Sequence, residues 1–165
     1  YPLHVDESAR ESINNSKQVI LVESIGDLLN LREFGLTNCL VTFGLDLSPK
    51  LICALVALAP GRVIFSFNND SNKNSNRGLE ACMKNYLKLL TYFEPDKLAI
   101  CLPTANDFGD MNEDDFKTWK KKLLSIKPQD QWAKILSSTD PNGPTVSKIS
   151  KPILKNRSIL MDRVE

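Results

Sequence analysis

The pattern of apolar runs predicts an α/β fold, with a central, mainly parallel four-stranded sheet flanked by helices. Four short apolar runs, at 19–23, 38–43, 62–67 and 97–102, have strand length and alternate with longer stretches whose apolar residues recur at helical spacing. Strands joined through helical crossovers pair in parallel and need cover on both faces. Three of the runs also pass directly into acid-bearing segments: VILVESIGD at 19–27, VIFSFNND at 63–70 and LAICLPTAND at 98–107. In a parallel sheet those strand ends share one rim, so Glu23, Asp70 and Asp107 are expected to gather there. Carboxylates on one rim suggest a site for a divalent cation.

Each element follows from local chemistry. After the strand at 19–23, residues 26–34 place Leu28, Leu29, Leu31 and Phe34 at helical spacing, and Gly35 ends that helix. The strand at 38–43 runs into a turn at Gly44. Ser48 then serves as N-cap and Pro49 as first helical residue of a helix through 51–59, which Pro60-Gly61 stops. The strand at 62–67 is followed by a polar loop at 71–77 and a long amphipathic helix at 79–93. After the strand at 97–102, helices are expected at 113–124 and 129–136. Asp110 or Asn112 is placed to cap the first of these. Beyond residue 139, Pro141, Gly143, Pro144 and Pro152 break up any long element and leave a tail or linker, whose Lys148, Lys151, Lys155, Arg157 and Arg163 suit a phosphate-bearing ligand or a solvated surface. The expected organisation is a lead-in segment at 1–18, a metal-binding domain at 19–125, and a C-terminal helix with tail or linker at 126–165.

Composition narrows the chemistry. A chain of 165 residues with 42% hydrophobic content can bury a real core without staples. Cys39, Cys53, Cys82 and Cys101 show no CxxC pair and no zinc spacing, so they are expected to be reduced core residues. With 21 basic and 20 acidic residues the net charge is +1, which neither proposes nor excludes a nucleic-acid partner. No apolar run approaches the roughly 20 residues that span a bilayer, and the expectation is a cytoplasmic protein with no membrane partner. There is no GxxxxGK[ST], no GxGxxG after a strand and no HExxH, and the only histidine, His4, lies far from the strand ends. What remains is oxygen-rich chemistry from Asp, Glu and Asn, the ligand set of Mg²⁺ and Mn²⁺.

Four segments in order carry a family resemblance: ESIGD at 23–27, VTFGLDLS at 41–48, FNND at 67–70 followed by RGLEA at 77–81, and LPTANDFGD at 102–110. Together they resemble the Toprim domain, a Rossmann-like metal-binding fold shared by primases, topoisomerases and some nucleases. The order and spacing are closest to phage-type primases, whose pattern runs EGxxD, a strand ending in G-T/N-x-L-S, DxD, and LPxxxD. The resemblance covers about residues 1–125. Each motif alone is weak, and their order after the right strands carries the signal.

The resemblance implies roles residue by residue. Glu23 matches the glutamate taken to be general acid or base, or a metal ligand. Asp27 stands where a second acid helps hold a hydrated cation, although an acid at a helix N-terminus is also favoured by the helix dipole. Asn68 and Asp70 match DxD, with Asn replacing the first Asp, so the site is one negative charge short and is expected to hold its cation more weakly. Asp107 and Asp110 match the final acidic motif. Gly44 matches the turn glycine, while Lys73 and Arg77 are placed to meet nucleotide phosphates.

The implied activity is the metal-binding catalytic part of a DNA primase, using Mg²⁺ or Mn²⁺ in nucleotidyl transfer for RNA primer synthesis. Its implied partners are single-stranded DNA template and ribonucleotides, reached through a parent protein, and a replicative helicase. If the gene is phage-encoded, the compartment is the host cytoplasm. Two alternatives stand beside it: a degenerate, non-catalytic Toprim module in a replication assembly, and a Toprim nuclease.

Overall fold

Period-two alternation along the strands decides the layers. The computed structural model describes residues 5–71 and 74–138. Its strands are β1 (Gln18–Val22), β2 (Cys39–Val41), β3 (Arg62–Phe65) and β4 (Leu98–Ile100). They form one all-parallel sheet in the order β2-β1-β3-β4, with Val22 opposite Val41, Leu21 opposite Phe65 and Phe65 opposite Ile100. Val19, Leu21, Leu40, Val63, Phe65, Leu98 and Ile100 point to one face. Ile20, Val22, Cys39, Val41, Ile64 and Ala99 point to the other.

Two groups of helices cover these faces. On the first lie α1 (Glu7–Ser16), α3 (Pro49–Leu58), α4 (Arg77–Leu89) and α6 (Pro128–Ser138), burying Ile13, Leu51, Leu55, Tyr86, Leu89 and Ile135. On the second lie α2 (Ile25–Glu33) and α5 (Glu113–Ser125), burying Leu28, Leu31, Phe116, Trp119 and Leu123. The result is the expected α/β architecture, a parallel four-stranded sheet flanked by helices.

Helix ends follow the expected chemistry. Ser48 caps α3 by accepting from Leu51 N, with Pro49 in the first turn, and Gly35 follows α2 at φ 81°. Asn112, rather than Asp110, caps α5, and it forms a reciprocal capping box with Asp115. The strands are shorter than their apolar runs. Ser66, Phe67, Cys101 and Leu102 remain buried beyond the last paired residues of β3 and β4. An apolar run reports burial, and the ladder ends earlier than the burial does.

Helix α4 begins at Arg77, two residues before expectation, because Asn76 caps it, and it ends at Leu89 in a tight turn in which Tyr92 N and Phe93 N both donate to Leu89 O. The polar lead-in contains α1, with Asp6 as N-cap, accepting from Ala9 N at 2.7 Å and bridged to Arg32. Its Ala9 and Ile13 are the whole buried stripe, too thin a signal to stand out in the sequence. Cys39, Cys82 and Cys101 are buried, and burial pushes their thiols up to about 12, about 12 and about 11. Cys53 departs from expectation: it is exposed, because it sits on the outer face of α3. The tail beyond residue 139, and His4, lie outside the described residues.

Candidate metal centre

The connections locate a crevice before any side chain is considered. From β1 the chain leaves through α2 on one face to reach β2. It then passes through α3 on the opposite face to reach β3, on the far side of β1. The winding therefore reverses between β1 and β3. In open α/β sheets ligands bind outside the carboxyl ends of the strands at such a reversal. Glu23 follows β1 directly, and Asn68 and Asp70 follow β3, so these residues flank the crevice.

Electrostatics at Glu23 report how the rim is built. Its carboxyl is held above the ordinary value of 4.5, first by burial, then by the negative charges of Asp27 and Asp70. The backbone N–H of Asn68 and the positive charge of Arg77 pull in the opposite direction. Residues from four segments therefore meet at one half-buried carboxylate: the ends of β1 and β3 and the first turns of α2 and α4.

Asp27 is only 3% exposed, and its oxygens are engaged within the protein. Oδ2 accepts from Ser24 N at 3.1 Å and from Ser24 Oγ at 2.7 Å, while Ser24 Oγ accepts from Asp27 N, closing a capping box at the start of α2. Oδ1 accepts from Phe108 N at 3.2 Å across the rim. Asp27 thus fastens the loop after β4 to the first turn of α2, while its charge acts on Glu23.

The same loop is tied to the end of β3. Asn69 N donates to Asn106 O at 2.6 Å and Asn69 Nδ2 to Pro103 O at 3.1 Å. Asn76 holds the other side: its Nδ2 donates to Asn69 Oδ1 at 2.9 Å, and its Oδ1 accepts from both Asp70 N and Leu79 N. One asparagine thereby caps α4 and fixes the backbone of Asp70. At Gly78, an added Cβ would stand 1.7 Å from Asn68 O, so only glycine lets α4 approach the backbone that carries the site. The RGLEA segment carries that glycine, but neither its role nor those of Asn69 and Asn76 emerged from the sequence. Each is a long-range contact to main chain, and composition holds no trace of such contacts.

The remaining residues spread along the rim. Asp107 is partly exposed, and its Oδ1 accepts from the N of exposed Asp110 at 3.0 Å, a local turn. Arg77 is the first residue of α4 and exposed. Lys73 lies outside the described residues. Gly44 has φ 131° with open space where a Cβ would stand, so backbone conformation accounts for the glycine, and its N donates to Glu23 O at 3.3 Å. Phe43, just before it, is also left-handed at φ 57°, which costs a non-glycine residue about 1–2 kcal/mol.

Among the described residues, no three His, Cys, Asp or Glu side chains converge closely enough to hold a metal ion by themselves. Two carboxylates, those of Glu23 and Asp70, nevertheless fit Mg²⁺, which commonly binds through one or two carboxylates and takes its other ligands from outside the protein. Burial comes first in raising Glu23, and the like charges of Asp27 and Asp70 that add to it are what a cation relieves. The donor set is all oxygen, as these hard cations prefer.

No protein-family model matches the sequence, and no curated protein does. Solved structures do. The RNA polymerase domain of Mycobacterium tuberculosis primase DnaG aligns with a TM-score of 0.63 and 15% identity, over 96% of this chain and 54% of that one. The same domain in complex with a double-stranded DNA oligomer with a 6-nucleotide overhang gives 0.57 and 15%, over 93% and 52%. A structure of the DnaG catalytic core gives 0.60 and 14%, over 90% and 50%. The chain spans about half the length of the primase structures it matches, and at this identity the likeness is one of fold.

Proposed function

We propose that this chain is the metal-binding Toprim part of a DNA primase-type nucleotidyltransferase, supporting Mg²⁺- or Mn²⁺-dependent primer synthesis on a DNA template. The observation that carries this reading is the meeting of Glu23 and Asp70 at the winding reversal, where burial and then the charges of Asp27 and Asp70 hold the Glu23 carboxyl above its ordinary value. The four ordered motifs and the primase-like fold support it.

In this reading Glu23 and Asp70 hold the cation, with Asn68 and Asp107 beside them. The bound cation would neutralise charge on the incoming triphosphate. Where Glu23 is not itself a ligand of the cation, its carboxylate form accepts the proton of the primer 3′-hydroxyl. Arg77 meets the triphosphate with a positive charge, and Asp27 keeps the loop after β4 closed over the crevice. Asn68 supplies one carboxamide oxygen where a carboxylate would add a charge, so the centre depends more on substrate phosphates to complete its ligands.

The same substitution favours a second reading, a Toprim module that turns nothing over. Primer synthesis by the intact protein decides between them. Catalysis requires primers with Mn²⁺ and nucleotides, and their loss, by roughly a hundredfold or more, in Asp70→Ala. Synthesis unaffected by Asp70→Ala would remove this site from the chemistry, and no synthesis by the unaltered protein would leave the binding module.

A further inference from the structure

The acids that follow the strands have a counterpart at the other end of the sheet. Lys17 directly precedes β1, Arg62 opens β3 and Lys97 directly precedes β4. These three strands are neighbours, and Arg62 N donates to Lys17 O at 3.0 Å where β1 and β3 begin. Each strand is thus entered through a base and followed by an acid. Glu94 and Asp96 stand close before Lys97 and offset it, which leaves Lys17 and Arg62 as the positive charges of this edge.

Helix α5 carries the same polarity along its length. Thr104 Oγ1, past the end of β4, donates to Asp115 O in the first turn of α5, and Arg62 Nη2 donates to Ile126 O at the other end. The helix therefore runs from the acidic rim to the edge where strands begin. Its first turn holds Glu113, Asp114 and Asp115, and Lys117 is bridged to the first two. Lys120, Lys121, Lys122 and, just past the helix, Lys127 are all exposed, and none forms an ion pair with a described residue. The positive charges of Lys122 and Arg62 both act on the buried Cys101 thiol, so the end of α5 and the start of β3 share one electrostatic neighbourhood. Glu33 at the end of α2 and Asp130 in the first turn of α6 are the acids of the adjoining helix ends.

A net charge of +1 conceals this separation. The helix dipole favours a cation in the last turn of α5, but it gives no reason for bases from three separate segments to gather at one edge. Phe116, Trp119 and Leu123 are buried against the sheet, and Leu124 is the large apolar side chain that this stretch exposes. The surface therefore lacks the apolar face that lies in a bilayer and the aromatic anchor that a protein partner needs. A sugar-phosphate backbone needs neither, since exposed bases spread along a surface hold it. The acidic rim repels such a polyanion, so the field of the molecule turns the basic edge toward it.

We infer that the edge carrying Lys17, Arg62, Lys120, Lys121, Lys122 and Lys127 is a contact surface for the phosphate backbone of a nucleic acid. It lies at the opposite end of the sheet from the crevice and needs no metal.

The test is fluorescence anisotropy of a labelled DNA oligonucleotide with the 165-residue chain, in EDTA and about 50 mM salt. Binding that weakens steeply as salt rises is expected. Replacing Lys120, Lys121 and Lys122 together by Gln is expected to weaken binding roughly tenfold or more and to lower the slope of log affinity against log salt by about 2 to 3. Lys17→Gln with Lys127→Gln lies outside α5, so it reads the same surface without touching that helix, and a slope lower by about 2 is expected. Lys50→Gln on α3 and Asp70→Ala in the crevice are expected to bind DNA at least as well as the unaltered chain, to within about a factor of two for the lysine. The second of these keeps the outcome separate from that of the metal-centre reading. No binding by the unaltered chain, or equal binding by the triple variant, would overturn the inference. So would loss confined to replacement of Lys148, Lys151 and Lys155, or binding to phosphatidylserine vesicles or polyglutamate in place of DNA.

Discussion

Glu23 shows how much a single position reveals before and after folding. Its place after an apolar run marks it as a strand-end acid, and that much was legible in the sequence. The neighbours that set its chemistry were not, since Asp70 and Arg77 lie 47 and 54 positions away. Because its folded pKa is raised, the protonated form is favoured by folding. That contribution is fully present below the ordinary value of 4.5 and is lost as pH rises through the folded value. At neutral pH without metal, ionised Glu23 therefore works against stability. Glu23→Gln is expected to raise the melting temperature at about pH 7, with the difference vanishing toward about pH 4. Added Mn²⁺ should narrow the gap at neutral pH by stabilising the unaltered chain. Thermal unfolding across pH checks this, and a difference that persists at the acid end would show that another cause is at work.

At the scale of elements, caps were readable and ties between loops were not. Ser48-Pro49 announces α3 because an N-cap and a first-turn proline are local choices. For α5 the sequence offered Asp110 or Asn112, and the structure selects Asn112 through its capping box with Asp115. The fastening of α4 to the end of β3 is different in kind. It depends on Gly78 lying against Asn68 O and on Asn76 serving two partners, both set by how helix and strand approach in space. The atom an alanine Cβ would meet is backbone, which cannot swing aside. Gly78→Ala is therefore expected to destabilise by about 3 kcal/mol, a fall in melting temperature of roughly 10 °C. It should also weaken Mn²⁺ binding, because Asn68 and Asp70 move with the displaced segment. Melting at the unaltered temperature would mean that α4 does not pack against Asn68 as described.

For the whole molecule, sequence and topology agree on one rim for different reasons. The alternation of strands and helices fixed a parallel sheet, and the acids after β1, β3 and β4 fixed which edge carries polar chemistry. The strand order β2-β1-β3-β4 adds what no local pattern contains: the reversal falls between β1 and β3, so Glu23 and Asp70 face one crevice while Asp107 arrives from the edge strand. No helix among the described residues is long and apolar enough to cross a membrane. Nucleotidyl transfer, the template and the partners belong to a reading that rests on this one edge.

The most direct measurement is therefore titration of the chain with Mn²⁺, followed by paramagnetic resonance of the free ion, for the unaltered protein, Asp70→Ala and Glu23→Gln. Binding by the unaltered chain that falls roughly tenfold or more in each variant, with melting behaviour showing both folded, is the expected result. No binding, or equal binding in all three, would contradict a metal centre at Glu23 and Asp70.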